Sequence, residues 1–359
     1  MLKAVGSKFH PLLLGLALCS PLPSHVLADD KAVTVAPDAT ITVSGHFAGK
    51  DGDTAEDLSG IGCVKIASSG DLRCLIVNDE NRTGQLATLS DGQMVVGPEI
   101  ELIGKKEAKG AVGSPPQSFS CAGGKKKFKD LDGEAVAAAG AGVFYVAGSH
   151  GCSRNDDEYR DSSFLLVRVT LDGEGRAVEI LPSYRLFEAL SASTLKDYLT
   201  RSLKREDGLN IEGLAVVGDD LLVGLRAPSV DGNAVVLSVP ADMLFTAAAE
   251  TVKPSREWRL PLGPNTGIRD MATLSDGSLL ILAGPTLEQD DIPYAVFRVA
   301  LPDGSTDKLA VLDDVASGSG RAKAEAVTVL EQSEDQLEIL VLFDGLADGG
   351  PRKYRIPLH

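Results

Sequence analysis

Beyond residue 28 the sequence holds only three histidines, His46, His150 and His359, and no apolar run long enough to cross a membrane as a helix. No two cysteines stand in Cys-x-x-Cys spacing, which sets aside the usual zinc knuckle and thiol redox centre. Positive charge is scarce as well. Lys and Arg total 35 against 51 Asp and Glu, a formal net charge of −16. Lys3 and Lys8 are the only charges before residue 29, so the remainder carries −18. Such a surface repels nucleic acid and anionic membranes, and both partner classes are excluded.

Residues 1–28 read as a secretory signal: two lysines, the short apolar segment "PLLLGLALCSPL", then "VLA" before Asp29. Cleavage after Ala28 would leave residues 29–359 as a periplasmic or secreted chain. Four cysteines then remain, Cys63, Cys74, Cys121 and Cys152, and an even number in an oxidising compartment points to two disulfides.

Short alternating runs broken by Asp-Gly, Gly-Asp and Ser-Gly turns fill the rest, as in "TLSDGSLLIL" and "VVGDDLLVGL". They read as tight β-hairpins, each followed by a third and in most copies a fourth strand. Five such units cover approximately 57–104, 130–187, 207–263, 267–314 and 322–359. Repeated four-stranded units indicate an all-β fold, a five-bladed β-propeller, with a six-bladed ring as the alternative. The last unit has three strands, and the segment 39–49 is expected to supply the fourth and close the ring. Helical spacing of Leu195, Tyr198, Leu199 and Leu203 predicts a helical insertion over 185–207 shading one face, and 241–250 a shorter helix.

An acid recurs where the first strand of a unit begins: Glu134, Glu212, Asp270 and Glu325, with Gly60 or Ile61 in its place in the first unit. Strand direction in a propeller puts the loop entering the first strand and the loop leaving the second on one face. That face gathers Asp79, Glu80, Asp132, Glu134, His150, Asn210, Glu212, Arg226, Arg269, Asp270, Glu325 and Asp344. Cys63 and Cys74 fall opposite each other in the first hairpin, and Cys121 and Cys152 fall on two loops of this face.

In chain order, "DLDGEAVA", "YVAGSH", "LNIEGLAV", "LLVGLRAP", "GIRDMA", "LLILAGP" and "LVLFDG" resemble an uncharacterised bacterial domain-of-unknown-function family. That family is similar to the phytase-like and esterase-like propellers, whose blades repeat an acid-Gly-aliphatic motif. The resemblance spans nearly the whole mature chain. It implies a propeller and a functional role for the acid positions; it implies no reaction. Ala135 and Ala326 depart from the motif's glycine.

Two roles fit the repeated acids. A carboxylate can lock one blade to the next through backbone N–H groups, or it can meet a ligand. As metal ligands, Glu134, Glu212, Asp270 and Glu325 suit calcium, since no His/Cys cluster suits zinc or copper. Glu134, Glu212 and His150 are the candidates for general base in a phytase-like, metal-dependent hydrolase. Asp79, Glu80, Asp132, Asn210, Arg226, Arg269 and Asp344 are candidate ligand contacts. Arg226 and Arg269 equally suit ion pairs with the acids. Seven lysines over 104–130 could draw in an anionic small molecule or form a solvated loop. A non-catalytic binding or scaffold propeller, expected as a monomer, is the other function class.

Overall fold

The computed structural model describes residues 1–2, 33–116, 120–125, 128–140, 142–247, 250–318 and 320–358. All but two residues of the expected leader, and Lys126, Lys127 and His359, lie outside the described residues.

Period-two runs joined by tight turns dictate antiparallel hairpins. In "VVGDDLL", Val217 pairs with Asp220 across a two-residue turn whose Gly218 takes φ +59°. Blade 1 comprises Leu58–Lys65, Leu72–Asn78, Thr83–Ser90 and Gln93–Glu101. Blade 2 comprises Gly133–Ala138, Val143–Gly148, Leu166–Leu171 and Ala177–Ser183. Asn210–Val217, Asp220–Ala227, Ala234–Pro240 and Arg256–Leu260 form blade 3. Blade 4 is Thr266–Thr273, Leu279–Pro285, Ala295–Ala300 and Ser305–Leu312. Blade 5 is Lys323–Gln332, Gln336–Asp344 and Arg352–Pro357, completed by Ala39–Thr40. The five first strands neighbour one another around a central channel, blade 5 meeting blade 1, so the ring is closed.

The core is divided among the seams. Each of five apolar clusters joins one pair of adjacent blades. The strands bury both faces, and each wholly buried Leu or Val contributes about 1.5–3 kcal/mol. Glycine permits the closest approach: a Cβ on Gly213 would stand 2.9 Å from Ile268 and Met271 of the next blade.

The closing segment is more elaborate than a single strand. Val33–Val35 lies parallel to the outer strand of blade 4, and Ala39–Thr40 is antiparallel to Arg352–Pro357 of blade 5. Thr42–Ser44 then runs parallel to the outer strand of blade 1. One short stretch thus belts three blades and covers their edges.

The insertion is broken into a helix Arg185–Ser191, a 3₁₀ turn Lys196–Tyr198 and a short helix Leu203–Glu206. Ser193 explains the first break. Its hydroxyl donates to the Leu190 carbonyl (2.7 Å) and accepts the Leu195 N–H (3.0 Å), satisfying the backbone outside a helix. Leu186, Leu190, Leu195 and Leu199 are buried in the seam between blades 2 and 3. Only the returning end, Leu203 and Leu209, reaches the channel face. Over 241–250 the helical part is Ala241–Leu244.

Both disulfides form as expected. Cys63 and Cys74 are direct cross-strand partners, and Cys121–Cys152 ties the loop entering blade 2 to the loop leaving its second strand. Two disulfides fit an oxidising compartment. Among the described residues no helix is long and apolar enough to cross a membrane.

Candidate functional site

At the start of every blade's first strand the pairing register skips one residue. The skipped residues are Ser59, Glu134, Glu212, Arg269 and Glu325. A β-bulge inserts one unpaired residue and re-aims its side chain. Five bulges at one level set a ring of five side chains around one end of the channel.

This ring corrects the acid repeat. In blade 4 the equivalent residue is Arg269, and Asp270 occupies the Gly/Ala position that follows. Asp270 is wholly buried and takes no part in lining the mouth. Its carboxylate accepts the Met271 N–H (2.8 Å) and, across the seam, the Val327 N–H of blade 5 (2.7 Å). Burial pushes the Asp270 carboxyl well up, and the two N–H groups pull against that push. Asp270 is a blade-to-blade lock. In blade 1 the ring residue is Ser59, one position before the expected Gly60.

A cavity of about 100 Å³ opens at this level. Among its walls are Asp79, Asp132, Glu134, Asn210, Glu212, Arg226, Glu325 and Asp344, so most of the expected contacts converge. Ser59, Ser149, Cys152, Arg154, Leu203 and Leu209 complete it.

The blades 3–5 side is a network of ion pairs. Arg226 donates from Nη1 to Glu212 (2.8 Å), from Nε to the Thr286 carbonyl (2.8 Å) and from Nη2 to the Leu287 carbonyl (3.1 Å). The Arg269 side chain, 1% exposed, pairs from Nε with Glu212 at 3.0 Å and from Nη2 with Glu325. Lys323 donates to Asp344 at 2.6 Å. Burial opposes ionisation of Glu325, but Arg269, Arg226 and Lys323 outweigh it and hold its carboxyl below the ordinary value. For Glu212 burial wins despite Arg226 and Arg269, with Glu325 adding repulsion, and the carboxyl is raised.

The blades 1–2 side lacks that compensation. Glu134, half-buried, has no hydrogen bond or ion pair among the described residues. Burial pushes its carboxyl well above the usual range, and Asp132, Glu212, Asp79 and Glu325 push it further. Asp132 is also raised by burial, while the Ser149 hydroxyl that donates to it pulls the other way. Asp79 shares a hydrogen bond with Asp57 and is raised to about 8 by its enclosure, then by Asp132, Asp57 and Asp344. Asp79 is open to water at the rim, which screens part of that push.

Two expected residues stand apart. His150 is wholly buried and off the cavity wall; its Nδ1 donates to the Gly148 carbonyl (2.9 Å), and burial lowers its pKa to about 4. The ring packs edge-on to Phe164, so His150 is set inside the fold rather than facing a substrate. Glu80 points out to Lys50 at 3.0 Å. Of the lysine run, Lys125 and Lys129 pair with Asp161 and Asp130 outside the mouth. Among the described residues no group of three or more His, Cys, Asp or Glu is arranged to hold a metal ion. The four residues expected to ligate calcium are divided accordingly: Glu212 and Glu325 are held by arginines, Asp270 by backbone, and Glu134 alone is uncommitted.

Residues 179–354 match the family described as a protein of unknown function (DUF3616). The match runs from within the last strand of blade 2 through blades 3 and 4 and into Arg352–Pro357 of blade 5. No curated protein matches the chain in sequence. Among solved structures, a hypothetical protein from Leishmania major is 11% identical, covering 92% of this chain and 91% of that chain at a TM-score of 0.41. A protein titled glucose dehydrogenase is 17% identical, covering 88% and 87% at 0.39. A GH43 β-1,3-galactosidase is 10% identical and covers 91% of this chain and 60% of its own at 0.43. Likenesses this distant say nothing about activity.

Proposed function

We propose that the chain is a periplasmic or secreted ligand-binding propeller that takes a small organic cation at the channel mouth. The observation that carries this reading is Glu134, a ring carboxyl without a partner, crowded by Asp132 and Asp79 in the same cavity. Like-charged carboxyls held together keep protons unless a positive charge enters. The remaining mouth acids Glu212, Glu325 and Asp344 already have Arg226, Arg269 and Lys323. Asn210, 4% exposed, adds a fixed polar wall to the cavity. An ammonium of one charge and modest size fits the uncommitted side better than a divalent ion, which needs several free oxygens.

The test is thermal melting with n-propylamine hydrochloride, calcium chloride and sodium chloride at matched ionic strength. Ligand that binds only the folded state raises the melting temperature by mass action. The amine is expected to raise it and the sodium control to leave it flat. A shift with calcium alone would overturn the organic-cation reading in favour of a metal site at the mouth. No shift with either would remove the mouth as a cation site.

A further inference from the structure

Acids and cations balance on the locked side of the mouth, where Glu212, Glu325 and Asp344 face Arg226, Arg269 and Lys323. The open side does not balance. Asp57, Asp79, Asp132 and Glu134 have no ion pair among the described residues. Basic side chains of the surrounding loops are taken by other acids: Lys50 by Glu80, Lys129 by Asp130, Arg154 by Glu288 and Arg160 by Glu158. The four open-side acids form two stations. Glu134 and Asp132 line the cavity, and the exposed Asp79 stands at its rim, hydrogen-bonded to Asp57. No three of them are arranged to close around one metal ion. One ammonium at Glu134 leaves the rim uncompensated, because two carboxyls sharing a proton still carry a negative charge.

At the inner station Asn210 adds a neutral acceptor. Its side chain is buried in the wall, 4% exposed, and Nδ2 donates to the Ile211 carbonyl at 3.2 Å, which sets the amide's orientation. Oδ1 accepts no hydrogen bond among the described residues, yet it is not shut off from water-sized molecules. An ammonium has three N–H donors and no acceptor, so a wall of carboxylates and an amide oxygen complements that group and not an anion. Resting on the cation site proposed above, we infer that the ligand is a linear diamine. Its first ammonium meets Glu134, Asp132 and the Asn210 Oδ1 inside the cavity. Its second meets Asp79 and Asp57 at the rim. Two charges a few methylenes apart match stations too widely set for one ion, and they fix how the ligand lies in the mouth.

Calorimetric titration with n-butylamine and 1,4-diaminobutane at matched ionic strength tests this. The diamine is expected to bind wild-type protein at least about five-fold more tightly, the upper worth of a solvent-open ion pair. An acidic protein attracts any dication, so Glu334→Gln, on the exposed turn of blade 5's first hairpin at the far end of the channel, serves as the charge control. Asp79→Asn should bring the affinity ratio close to one and leave butylamine binding largely intact, while Glu334→Gln keeps the wild-type ratio. Equal affinities of the two amines in wild-type protein would overturn the inference while leaving the cation site standing. A ratio that survives Asp79→Asn, or that both substitutions lower alike, would also overturn it. Failure of both amines to bind would sink the cation reading instead. The wild-type comparison needs no variant, so it stands even if a substitution impairs folding.

Discussion

Arg269 of blade 4 and Ser59 of blade 1 occupy the same bulge in the same ring, and each is next to a blade that offers a glutamate. On blades 3–5 Arg269 lies between Glu212 and Glu325, and both carboxylates are locked into the wall. On blades 1–2 the serine offers no charge, and Glu134 stays unpaired among the described residues. One backbone device thus gives a structural network on one side of the channel and a candidate binding site on the other. The choice of side chain at the bulge decides which.

Breaking the locked side should have the largest effect. Arg269→Leu strands the buried Glu325 carboxylate and leaves Glu212 only Arg226, and a loss of about 3–5 kcal/mol in urea unfolding is expected. A loss no larger than a surface substitution gives would show that the pairs are not what holds that side. Asp270→Ala should come next, at about 1–3 kcal/mol, because the Val327 and Met271 N–H groups lose their acceptor inside a seam. Retained stability there would mean the blades 4–5 seam does not need the lock.

Ser59→Arg sharpens the comparison by copying the locked side onto the open one. The new guanidinium should pair with Glu134 and weaken propylamine binding by roughly ten-fold or more without unfolding the ring. Undiminished binding would place the amine elsewhere. The smallest effect concerns pH. Folded Glu134 keeps its proton above the ordinary value of 4.5, where the unfolded chain has released it. The native state then binds more protons, so this group's contribution to stability falls as pH rises from 4.5 towards the raised folded value. Glu134→Gln should flatten that part of the slope between pH 5 and 8, as read from urea midpoints. An identical slope in both proteins would mean that Glu134 is ionised like any surface carboxyl.

The hairpins, the five-fold repeat and the cross-strand cysteines were legible because turn residues and period-two runs are local signals. The belt was legible only at 39–40, since "VTV" and "TVS" are three-residue pieces whose parallel partners lie far along the chain. Bulges leave no mark in a sequence, which is why Asp270 passed for a ring residue when Arg269 holds that position. Once the bulge is known, Ser59 follows from "SGI" aligned with "EGL" and "EAV". Arg154 had no local signal at all. Its partner Glu288 is on a loop two blades away, and only the assembled ring brings them together.

Proton release on amine binding tests the central claim most directly. Titration of propylamine into the protein at pH 6, 7 and 8, in buffers of different ionisation heat, reads affinity and protons together. The account predicts that affinity rises with pH and that protons are released as Glu134 and its neighbours ionise around the ammonium, both diminished in Glu134→Gln. Binding that is independent of pH, or unaltered by that substitution, would contradict it.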